Sequence, residues 1–165
     1  MAQCVAVVLA GCGIFNRTKI HEASAVLVYL SRNGASVKIF AHCIDQMHVV
    51  DHLKGAPTEE KLNVLVESAR LARGDIHDLP DLNVNDSDAI ISHMLELTRR
   101  TRSLRHTFRS PDIPETAEAI TQLSCKHICK NVNEAYVDEK NKIVTTCVFM
   151  CMAPHHEIQY LMALV

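Results

Sequence analysis

A chain of 165 residues is long enough for one hydrophobic core, and at 48% hydrophobic and 22% charged it has the balance of a globular domain, which excludes a disordered polypeptide. Its net charge of −2 leaves no global field to draw it to nucleic acid or to an anionic membrane, so neither is an expected partner. No apolar run approaches the roughly 18 residues that a bilayer span needs, and the first one, Val5 to Ala10, is too short for a signal-peptide core and follows no basic segment.

That first run, Gln3 to Ala10, is Val-rich and nearly continuous, the pattern of a strand covered on both faces. Gly11-Cys12-Gly13 breaks it. A helix is predicted from Lys19 to Arg32, because Ala23, Val26, Leu27 and Leu30 recur at helical spacing and Gly34 stands where a terminating glycine belongs. Val37 to Ala41 is a second strand. A strand–helix–strand unit implies a right-handed crossover and a parallel sheet, hence an α/β fold. His42 to Ala56 shows no regular period. Pro57 and Thr58 are then expected to open a second helix, with Glu59 and Glu60 in its first turn, an apolar stripe of Leu62, Leu65, Val66 and Ala69, and a stop at Gly74. A third strand is expected over Asp88 to Ile91.

Beyond Ile91 the pattern weakens. Ser92 to His106 has a narrow apolar stripe, and Arg99, Arg100, Arg102, Arg105 and Arg109 crowd one span. A basic cluster is one footprint of nucleic-acid contact, but Phe108 is its lone aromatic residue, and a solvated helix or linker explains it as well. Pro111 and Pro114 mark a loop, and Glu115 to Leu123 a short helix. His127 to Val132 and Glu134 to Val137 read as extended. Asp138-Glu139-Lys140-Asn141 is a turn before a strand over Ile143 to Phe149. Pro154 opens a last helix, striped by Ile158, Leu161, Met162 and Val165.

Seven cysteines, an odd number in apolar surroundings, read as reduced thiols in an intracellular compartment. Cys125, His127, Cys129, Cys147 and Cys151 raise the question of zinc. Their three-residue gaps differ from the tight two-residue knuckles of structural sites, and buried thiols on strands account for them equally well. His155 and His156 are adjacent and point to different helix faces, so they read as a helix start and not as a metal pair. No metal and no cofactor is expected.

The positions best placed for chemistry follow the first strand. Glycines at Gly11 and Gly13 let the backbone approach a ligand near a helix N-terminus, although they serve equally for a tight turn, and the third glycine of a dinucleotide fingerprint is missing. Glu22, early in the first helix beside Ala23, is either a carboxylate near an apolar site, sharing a proton with a thiol, or a solvated acid that complements the helix dipole. Cys12 in the turn and Cys43 after the second strand are the thiols open to reaction.

Four blocks carry a family resemblance: Gly11-Cys12-Gly13, His21-Glu22-Ala23-Ser24-Ala25, Met47-His48-Val49-Val50-Asp51-His52 and Glu67-Ser68-Ala69-Arg70. Later blocks include Thr116-Ala117-Glu118-Ala119-Ile120, Lys126-His127, Val137-Asp138, Lys140-Asn141-Lys142 and Val144-Thr145-Thr146. Together they resemble the mitochondrial ES-one family of glutamine amidotransferase-like class I proteins, in the PfpI-type superfamily, whose bacterial branch contains an ElbB-type glyoxalase. The resemblance implies a flavodoxin-like, doubly wound, mostly parallel sheet. It implies a nucleophilic cysteine on a sharp strand-to-helix turn, a glutamate from the first helix at its sulfur, and backbone amides near the first glycine turn that help to bind an oxyanion. Glu22 stands twelve residues before Gly34, the spacing of the family's glutamate from its helix-ending glycine, and so corresponds to that acid. A mitochondrial location follows by resemblance. The absence of an Arg- and Ser-rich presequence leaves the cytoplasm as the alternative.

The sequence also departs from the family. A Pro-Gly-Gly-Phe-Gly segment after the third strand and the later Gly-Leu-Cys-Cys-Ile-Ala-Pro elbow have no counterpart, and residues 93–114 match no part of the pattern. The expectation is a single incomplete domain over residues 1–165, with 93–114 as a divergent linker and a central strand and helix missing. Without the elbow, the chain is expected to be non-catalytic. Two alternatives remain: residual glyoxalase- or deglycase-like activity through Cys12 or Cys43 with Glu22, and a metal- or nucleic-acid-binding module. Loss of a central layer exposes its neighbours, so association of copies through uncovered core surface is also expected.

Overall fold

An unbroken Val/Ala run is stable as a strand where both of its faces are covered, and β1 (Cys4–Leu9) meets that condition, with Val5 to Leu9 all buried. In the computed structural model, residues 2–13, 18–92, 135–138 and 143–146 are described, and the chain divides into two units, Met1–Met94 and Leu95–Val165. The predicted helices over 92–106 and 115–123, the extended segment 127–132, the last helix, the arginine cluster and the C-terminal Cys and His residues lie outside the described residues.

In the first unit β1 pairs in parallel with β2 (Ser36–Ala41) on one side and with β6 (Ala89–Ser92) on the other, and β2 pairs in parallel with β5 (His77–Asp78). The order is β5-β2-β1-β6. The strand starts are stapled where β1 meets β6: the Cys4 N–H donates to the Asp88 carboxylate at 2.8 Å, and the Asp88 N–H to the Cys4 carbonyl at 2.8 Å.

The connection from β1 to β2 is α1 (Ile20–Arg32), one residue shorter at its start than its periodicity predicts. Ala23 and Val26 are buried and Leu27 and Leu30 half-buried, as the stripe requires, while Val28 and Tyr29 face outward. Gly34, at φ 72°, takes the left-handed conformation that ends the helix.

The segment from His42 to Thr58 holds a small antiparallel hairpin, β3 (Val49–Asp51) with β4 (Ala56–Thr58), that hydrophobic periodicity does not reveal. Its loop is closed by Asp51, whose carboxylate accepts from the Leu53 N–H at 2.9 Å and whose carbonyl accepts from the Gly55 N–H at 2.7 Å.

The second helix differs from its prediction. Pro57 and Thr58 lie in β4, where Pro57 faces Val50 on a two-stranded ribbon that tolerates a missing N–H. The helix, α2 (Val64–Ala72), starts at Asn63, whose side-chain oxygen accepts from the Leu65 and Val66 N–H groups at 3.0 and 3.2 Å. Glu59 and Glu60 therefore precede the helix. Its buried residues are Val64, Glu67, Ser68 and Ala72, whereas Val66, expected in the stripe, is 61% exposed. Arg73, at φ 57°, ends the helix one residue before Gly74. Both crossovers step in the same direction along the sheet, so right-handed connections place α1 and α2 on one face, where they touch.

In the second unit β7 (Ala135–Asp138) and β8 (Ile143–Thr146) pair antiparallel, with Asp138 opposite Ile143.

Candidate functional site

The chain steps from β1 outward through β2 to β5, then returns across β1 to β6. The strand order therefore reverses beside β1, and the carboxyl end of β1 is the switch point where doubly wound sheets bind ligands. Ala10 to Gly13 occupy that point.

Gly11 at φ 95° and Gly13 at φ 128° adopt backbone conformations that a side chain would strain. The tight turn buries main-chain donors, which need partners. Two hydroxyls with no solvent exposure supply them. The Ala10 N–H donates to Thr18 Oγ1 at 2.7 Å, and the Gly11 N–H to Ser68 Oγ at 2.8 Å. The Gly13 N–H donates to the Thr18 carbonyl at 2.9 Å. Gly11 and Gly13 thus lie where the sequence places a substrate-binding turn, and both of their amides are engaged within the protein.

The Ser68 bond anchors the buried face of α2 to this turn. The preceding residue, Glu67, is 7% exposed, and its carboxylate sits 3.0 Å from the Arg70 guanidinium. Cys12, half-buried between the two glycines, lies in the field of this pair. Burial pushes the Cys12 thiol above its ordinary value of 9.0, the Glu67 carboxylate pushes it further, and Arg70 acts in the opposite sense. A raised thiol holds its proton at neutral pH, the reverse of the activation a nucleophile requires.

Glu22 lies in the first turn of α1, half-buried, with the Lys19 ammonium 4.0 Å away. The carboxylate that raises the Cys12 thiol is that of Glu67, on α2. Cys43 follows β2 at the exposed end of the sheet, where its N–H donates to Asp78 at 3.0 Å and Asn63 donates to its sulfur at 3.8 Å. Cys4 is on β1. Among the described residues, no group of three or more His, Cys, Asp or Glu side chains is arranged to hold a metal ion, and no helix is long and apolar enough to cross a membrane.

Thr18, Glu67, Ser68 and Arg70 were not among the sequence candidates. Thr18 and Arg70 carry no periodic signal, and Glu67 and Ser68 are polar residues whose burial shows only when the helix start is correctly placed. Once Asn63 is taken as the cap, Val64, Glu67, Ser68 and Ala72 fall on one face.

No family model matches the chain. Curated relatives do. The human mitochondrial protein "glutamine amidotransferase-like class 1 domain-containing protein 3" is 39% identical over 207 aligned positions, covering 93% of this chain and 77% of the relative. The rat mitochondrial ES1 protein homolog is 38% identical, with 93% and 78% covered. The zebrafish (Danio rerio) mitochondrial ES1 protein is 29% identical, with 92% and 78% covered. Among solved structures, an isoprenoid biosynthesis protein with an amidotransferase-like domain from Ehrlichia chaffeensis superposes with a TM-score of 0.80 at 22% identity, covering 98% of this chain and 97% of that one. At that identity the match speaks for a shared α/β fold.

Proposed function

Because this chain belongs to the ES1 family of glutamine amidotransferase-like class 1 proteins, we propose that it is a non-catalytic member of that family, acting through association with other protein chains. The observation behind this reading is the state of Cys12. Among the described residues it is the thiol at the switch point, and its surroundings favour the protonated form. The occupied amides of Gly11 and Gly13 point the same way, since an oxyanion needs donors that are not already paired. An alignment of 207 positions on a chain of 165 residues also requires gaps within this chain, which supports the loss of an internal segment from the family plan. The relatives carry mitochondrial names, and the same compartment is proposed here.

Incubation with methylglyoxal tests the central reading. The purified chain is expected to consume the aldehyde no faster than its Glu22→Gln and Cys12→Ser variants do. Turnover that Glu22→Gln abolishes would establish a residual glyoxalase and overturn the proposal. Fractionation of cells expressing the tagged chain tests its location, and a wholly cytosolic distribution would refute the mitochondrial assignment.

A further inference from the structure

We draw no further inference here: the strongest candidate, the Cys12, Glu67 and Arg70 side-chain cluster behind the glycine turn, belongs to the site already described and holds a single cysteine with no second feature that points to a ligand.

Discussion

At Cys12 burial and two charges act on one proton, and the two charges can be removed separately. Glu67→Gln keeps the shape of the side chain and deletes its charge, so the thiol should ionise at lower pH. Arg70→Ala removes the opposing charge and should move it higher. The pH dependence of alkylation at Cys12, followed by peptide mass spectrometry, reads both shifts; an inflection unmoved in Glu67→Gln shows that the carboxylate has no such role. The same proton affects stability. A thiol raised in the fold favours the native state while protonated, so its contribution is complete below the ordinary value of 9.0 and is lost as pH rises through the higher folded value. Cys12→Ser should therefore flatten part of the fall in stability above about pH 9, measured by denaturant titration. Ser68 is a separate case, because its role is to satisfy a buried donor. Ser68→Ala orphans the Gly11 N–H and should cost about 1–3 kcal/mol in the same titration, whereas an effect near zero would show that the hydroxyl is dispensable to the turn.

Helix α2 shows how one misplaced boundary changes the reading of a whole element. The stripe positions Leu62, Leu65 and Val66 are each offset by two residues from the buried Val64, Glu67 and Ser68, and two residues turn a helix by about 200°, to its opposite side. The two assignments predict different mutants. Val64→Ala should destabilise by about 2 kcal/mol, as for a truncated core side chain, while Val66→Ser should stay within about 0.5 kcal/mol; the reverse order would restore the original stripe. Asn63→Ala should cost about 1 kcal/mol through loss of the cap. The elements β1, α1, β2 and β6 were legible from hydrophobic pattern, which coincides with burial in β1 and α1, and each boundary lies within one residue of its expected place. The β3–β4 hairpin was not, because strands of three residues are too short to establish a period and its turn depends on Asp51 instead of on apolar spacing. The glycine turn was legible through its residue types, whereas Glu22 was singled out only by its place in the family pattern. The polar face of α2 was not, since buried Glu67 and Ser68 carry the pattern of a solvated surface and their burial comes from what they pair with.

At the scale of the sheet, neighbouring strands are in opposite conditions. β1 is buried along its length from Val5 onward, yet its partner β6 is exposed at Ala89, Ile90 and Ser92, with Ile90 40% open to solvent. Parallel strands are ordinarily covered on both faces, and open sheet edges are ordinarily guarded by charge, proline or a bulge. Among the described residues β6 pairs with β1 alone. Ala89 to Ser92 contains no charge, and the adjacent Asp88 carboxylate is engaged with the Cys4 N–H. A net charge of −2 adds little repulsion between copies. Under the association role proposed above, copies are expected to pair through this strand, and this should appear as a molecular mass that rises with concentration in size-exclusion chromatography with light scattering. Ile90→Lys places a charge on the exposed strand and leaves its main-chain bonds to β1 intact, so it should shift the population toward monomer without unfolding the sheet. A parent chain that stays monomeric over the whole concentration range, with a melting temperature independent of concentration, would show that β6 needs no partner and would remove the structural support for an association role.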